Sequence, residues 1–259
     1  MDTIIILERR IVVKPKVYML IVALLMVVCI PVVNASSYYT NDLGVEFTEK
    51  QYNYVTDLFY DGYQKNMPQD EFDHILNSNL FDKTITAVEI NEPVFTNIGN
   101  SAKSDNVYQN GRTTKIVKSC TTTECLVTLT ATWSLVPTVN SYDVIGFRPT
   151  SATITTIGTA KVTGNGYAVS YPSSSAQQSG TGFGHSVLLG GVTNMKASTY
   201  MYCTPSGTVY GSYQHAMSSI SLANSKKYTI GAGGYGYVFN FYGASVGKYD
   251  NATGVYLSL

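Results

Sequence analysis

The side chains best suited to nucleophilic or metal chemistry are three histidines, His74, His185 and His215, and the cysteines Cys120, Cys125 and Cys203. A thiol attacks as its thiolate and needs a basic neighbour, so Cys203 with His185 or His215 is the one pairing on offer. The residues around Cys203 match no thiol-hydrolase signature, and no arginine follows Arg148, which removes the His, Cys, then Arg order of a sortase. A structural Cys203 is the expectation. Zinc would need a C-x-x-C pair with a partner histidine pair, and both are missing, so no metal site is expected. Gly231-Ala-Gly-Gly-Tyr-Gly236 has the letters of a dinucleotide loop. Such a loop must open a helix, whereas this one runs into Tyr237–Tyr242, which alternates as a strand. No H-E-x-x-H, G-x-S-x-G or EF-hand loop occurs. No cofactor and no catalytic residue is assigned, and the reading leans away from an enzyme.

Glycosidic hydrolysis is the remaining catalytic route, because it needs only two carboxyl groups held about 5–10 Å apart. The β-rich region holds Glu89, Glu92, Asp105, Glu124, Asp143 and Asp250, of which Asp143 and Asp250 each follow a tyrosine in an aromatic stretch. The plainer roles are a bond from Asp143 to backbone or Arg148, and a turn at Asp250-Asn251. Tyrosine stands out more, with 21 in the chain. Tyr200 and Tyr202 share one strand face, as do Tyr235 and Tyr237. A ring stacks on sugar C–H groups and its hydroxyl bonds at the rim, so an exposed row would suit a glycan or a surface protein. The same residues would equally fill a core.

These residues need a frame. Thr48 and Gln51 form a capping box between Phe47 and Tyr52, followed by Val55, Leu58 and Phe59 at helical spacing. Pro68, Asp70 and Glu71 open a second helix, which completes a short helical hairpin within residues 36–82. From residue 83 onward alternation takes over. In Leu126–Trp133, Val127, Leu129, Ala131 and Trp133 share one face and Thr128, Thr130 and Thr132 the other, which predicts a half-buried strand. About ten such runs, including Ala152–Val162 and Ser219–Leu222, predict a mainly β fold, an antiparallel β-sandwich (jelly-roll-like) over 83–259. Ser173–Gly184 reads as a long exposed loop. Cys120 and Cys125 sit where a disulfide would close a hairpin, and free thiols are the alternative.

At the N-terminus Arg9, Arg10, Lys14 and Lys16 precede an uncharged apolar run, Val17–Val33, and then Asn34-Ala35-Ser36. This is the order of a signal peptide spanning 1–35 and cleaved between Ala35 and Ser36, with an uncleaved anchor as the alternative. Val28 before Cys29 is too bulky for a lipoprotein box, and no wall-sorting motif ends the chain. Secretion follows, with no membrane association after cleavage. The remaining 224 residues carry 13 basic and 15 acidic side chains, so no basic patch invites nucleic acid. Charged residues are only 13% of the chain, and hydroxyls and amides must solvate the surface.

Trp133-Ser-Leu-Val-Pro137, Ser141-Tyr-Asp-Val-Ile-Gly-Phe-Arg148 and Tyr213-Gln-His215 together resemble a family of uncharacterised exported proteins of Gram-positive bacteria. The resemblance implies export and a Gram-positive source, and it transfers no catalytic residues. Three classes of function stand: a non-catalytic extracellular binding module, a secreted glycosidase-like hydrolase, and a membrane-active β-protein whose hairpin would be Ser151–Gly164.

Overall fold

The computed structural model describes residues 38–96, 107–231, 238–250 and 254–259, giving the backbone alone for 91–96 and 107–110. Residues 1–35, read above as a signal peptide, and Tyr235 and Tyr237 lie outside the described residues. The chain begins with a small hairpin, β1 (Tyr38–Thr40) and β2 (Glu46–Thr48), and passes into α1 (Glu49–Leu58), a 3-10 turn (Tyr63–Asn66) and α2 (Gln69–Asn77). Thr48 caps α1: its hydroxyl accepts from the Gln51 amide at 3.3 Å, and the Gln51 side chain accepts from the Thr48 amide at 2.8 Å.

The rest is mainly β. In chain order come β3 (Ile85–Thr96), β4 (Val107–Cys120), β5 (Cys125–Trp133), β6 (Tyr142–Pro149), β7 (Ile154–Gly164) and β8 (Tyr167–Tyr171). They are followed by β9 (Gln177–Ser179), β10 (Gly182–Leu188), β11 (Lys196–Cys203) and β12 (Thr208–Gln214). After α3 (Leu222–Ser225), β13 (Tyr228–Ile230) pairs with β14 (Phe239–Phe241), and β15 (Val255–Ser258) ends the chain. Six strands form one sheet in the order β3-β4-β5-β11-β7-β8, and five form another, β15-β12-β6-β10-β9. Among the described residues every strand pairing is antiparallel. Cys120 and Cys125 are bonded across the β4–β5 end.

Both sheets contribute to one shared core, in which Val127, Leu129 and Met201 of the first meet Ile145, Phe147 and Val209 of the second. The opposite faces are also covered. Over the six-stranded sheet, Leu58, Phe59, Phe72 and Ile75 of the helical segment bury Val117, Leu126, Tyr200 and Tyr202. Strand β5 is therefore buried on both faces rather than half-buried, and Thr128 donates its hydroxyl to the carbonyl of Leu58. Over the five-stranded sheet, Ile220, Tyr228, Phe239 and Tyr249 cover Val144. Gly184 of β10 permits this approach, since a Cβ there would lie 2.6 Å from the Phe239 ring. Ser219–Leu222, expected as a strand, instead leads into the N-terminus of α3, where the Ser221 hydroxyl caps the Asn224 amide. Ser173–Gly184 is no long loop: a 3-10 turn and β9 occupy it. Residues 38–259 thus make one compact unit.

A buried ion pair fastens the helical segment to the sheet. Lys161 on β7 donates to Glu71 Oε2 at 3.1 Å and to the Asn66 carbonyl at 3.2 Å, and its ammonium lies 4.0 Å from the Tyr63 ring centre. Tyr63 donates to Glu71 Oε1 at 2.6 Å. Burial lowers the Lys161 pKa and the Glu71 carboxylate opposes that shift. Glu71→Ala would strand the ammonium, and urea unfolding should register a loss of about 3–5 kcal/mol. The double change Glu71→Leu/Lys161→Met should recover most of it. A Glu71→Ala effect under about 1 kcal/mol, the size of a solvent-exposed pair, would contradict the anchoring role.

Candidate functional site

The tyrosine row expected to face a ligand is covered. Tyr200 is 8% exposed and Tyr202 1%, and both belong to the core between helices and sheet. Tyr200 meets Phe59 edge-on at 5.7 Å, and Tyr202 lies 4.1 Å from His74. Gly158 on β7 makes room for the Tyr200 ring, since a Cβ there would sit 2.4 Å from it. Burial, the largest cause, raises the pKa of both phenols. Neither ring can stack on a sugar, because the six-stranded sheet must bury its outer face under α1 and α2. Tyr235 and Tyr237 lie outside the described residues.

Cys203 is a buried free thiol pushed up to about 12 by burial and by Glu124, the opposite of nucleophilic activation. His215 pairs elsewhere. It joins Asp143 and Asp250, the two acids singled out by their tyrosine neighbours, at one end of the shared core. His215 Nδ1 donates to Asp143 at 3.0 Å, the Ala216 amide donates to Asp143 Oδ1 at 2.9 Å, and the Tyr213 hydroxyl donates to Asp143 Oδ2. The His215 amide donates to Asp250 Oδ1 at 2.9 Å, and Arg112 donates to Asp250 Oδ2 at 2.9 Å. Trp133 closes the group, donating to the Tyr213 hydroxyl at 3.2 Å and meeting the His215 ring at 4.6 Å.

This network draws on β4, β5, β6 and β12, and so ties the two sheets together. Inward-facing Asp143 follows from β6 register, in which Ile145 and Phe147 point to the same core. Both carboxylates are buried, and all four of their oxygens accept hydrogen bonds. Burial raises the Asp250 pKa, with Arg112 opposing. Neither acid is open to a glycosidic oxygen.

An open cleft lies elsewhere, between the loop before β7 and the turns flanking β9. It encloses about 750 Å³, and its walls present Thr153, Thr155, Thr156, Ser173, Gln178 and Thr181, with Ile154 and Ile157 as apolar floor. Among the described residues no ionisable side chain lines it. The wall is held from behind, where Ser175 in the 3-10 turn contacts His185 Nδ1 at 3.3 Å and Gln177 donates to the Tyr228 carbonyl at 2.7 Å. A second groove, of about 590 Å³, runs between the helical segment and the β7–β8 turn. Lys65, Lys196, Asp42 and Asp61 line it, and Lys196 is already engaged, lying 4.8 Å over Tyr60 and donating to the Asp61 carbonyl. Both cleft walls come from stretches whose hydroxyl-rich, charge-free composition was the only advance signal. Those stretches read separately as a hairpin and a loop. No protein-family model, curated protein or solved structure matches the chain.

His185 makes the cleft wall sensitive to acid. Burial pushes its imidazole down from 6.5 to about 4, so the folded chain holds it neutral while the unfolded chain protonates it below about 6.5. The associated stability is whole above pH 6.5, is lost as pH falls towards 4, and changes no further below. A shift of that size corresponds to about 3 kcal/mol. In urea unfolding between those limits, His185→Phe should lose less stability than the wild type by about that amount. Equal slopes would remove His185 as the source.

Proposed function

We propose that the chain is an exported, non-catalytic binding module whose cleft takes a neutral, polyhydroxylated ligand such as a glycan strand. The observation that carries this reading is the cleft lining. Hydroxyls and amides exchange hydrogen bonds with sugar hydroxyls, Ile154 and Ile157 accept C–H faces, and a lining that among the described residues holds no ionisable side chain suits retention rather than turnover. Export draws on the basic and apolar leader with its Ala35/Ser36 junction, and on the resemblance to exported Gram-positive proteins.

The frame supports a jelly-roll-like sandwich with the helical hairpin docked on one side. Strands β5, β6 and β7 alternate between the sheets, as do β10, β11 and β12, so that β5-β11-β7-β8 faces β15-β12-β6-β10. A second reading, a secreted hydrolase, draws on the Asp143–His215 pair alone.

Co-sedimentation with insoluble peptidoglycan and with plant and fungal polysaccharides separates the two. The proposal expects saturable depletion from solution. Thr156→Val with Gln178→Ala should weaken it on the order of tenfold, as two lost hydrogen bonds would, at an unchanged unfolding midpoint. No depletion on any matrix overturns it. Release of soluble sugar that His215→Gln abolishes would establish the hydrolase instead.

A further inference from the structure

The charge of this chain is polarised by position. Residues 38–82, which form the helical layer, hold nine Asp or Glu and two Lys. Residues 144–249 hold six Lys or Arg and no Asp or Glu. The two acids bounding that stretch, Asp143 and Asp250, are buried and engaged with His215 and Arg112. Of the six cations, Lys161 and Lys196 engage the helical layer and Arg148 on β6 lies over Tyr210, which leaves Lys226, Lys227 and Lys248 as a small basic cap over the five-stranded sheet, opposite the acidic layer.

The cap also exposes apolar side chains beside its lysines. Two segments, 217–227 and 242–248, are stitched into one surface. Met217 donates its amide to the Lys248 carbonyl at 2.8 Å, Tyr242 donates to the Lys227 carbonyl at 3.0 Å, and the Ser245 hydroxyl donates to the Asn224 carbonyl at 2.5 Å. On that surface Leu222 is 42% exposed, Tyr242 51% and Val246 62%, with Lys248 exposed and Lys226 and Lys227 half-buried between them. Isolated exposed apolar residues need no explanation, but a group on adjoining turns, ringed by cations and with no acid in either segment, marks a contact surface.

We propose that this cap is a peripheral docking face for an anionic lipid bilayer. The two kinds of side chain fit the two zones of such a surface. Lysines meet anionic headgroups, while Tyr242 enters the interfacial belt and Leu222 and Val246 reach the acyl boundary. The acidic helical layer lies over the opposite sheet, so an anionic plane attracts one side of the molecule and repels the other, which orients the approach. This departs from the expectation of no membrane association after cleavage, and it concerns a surface separate from the hydroxyl-lined cleft.

The test is flotation of the chain from Ser36, which keeps the whole compact unit and omits the apolar leader run, with vesicles of phosphatidylcholine alone or mixed with phosphatidylglycerol. Binding should require the anionic lipid and fall with added salt. Each lysine at an anionic surface contributes about fivefold, so Lys226→Gln/Lys227→Gln/Lys248→Gln should lower partitioning on the order of a hundredfold. Val246→Ser with Tyr242→Ser should lower it about tenfold or more through lost apolar burial. Both variants leave the backbone bonds that stitch the cap in place and should keep the wild-type unfolding midpoint. Equal binding to both vesicle types, or no effect of the lysine changes, overturns the proposal. Salt-sensitive retention on a soluble polyanion that ignores Tyr242 and Val246, without flotation, overturns it in favour of an anionic polymer.

Discussion

A β-sheet with apolar side chains on both faces cannot stand at a protein surface, and that constraint shapes this molecule. Leu126, Val117, Tyr200 and Tyr202 point away from the shared core and would face water without α1 and α2. The helices are too short to be stable alone, so each side needs the other. The Glu71–Lys161 pair sets where they meet. An ionic contact of this kind adds little net stability over an apolar one, but it admits few alternatives, because any shifted docking would bury a charge without its partner.

The five-stranded sheet solves the same problem with a different cover. Tyr228, Phe239 and Tyr249 come from short loops and a two-stranded ribbon rather than from helices. At the edge between the sheets, the polar network around Asp143 seals one end, while the other keeps an opening lined with hydroxyls.

The legible parts of the sequence were local. The capping box at Thr48 and the alternation in Leu126–Trp133 depend on neighbours within a few residues, and both can be read directly. Alternation says which side chains share a face but not whether that face is covered, so Tyr200 and Tyr202 could not be told from an exposed row. Strand β4 was legible only as one arm of the hairpin that Cys120 and Cys125 close, because Arg112, Lys115 and Lys118 interrupt its pattern and Ile116 and Val117 are buried on opposite faces. Asp143, His215 and Asp250 were each visible as candidates. Their convergence rests on β6 pairing with β12, some 60 residues along the chain, and no local pattern encodes a partner at that distance.

The strand order also bears on how the chain reaches this state. Strand β11 lies between β5 and β7, so the six-stranded sheet cannot close until residue 203 is present, and β15 supplies the edge of the other sheet only with the last residues. Contacts this distant in sequence form slowly, since loop closure precedes any stabilising pairing. A chain emerging from its N-terminus therefore stays without a finished β core until nearly all of it is out. The same topology that keeps the folded molecule closed keeps the growing chain open.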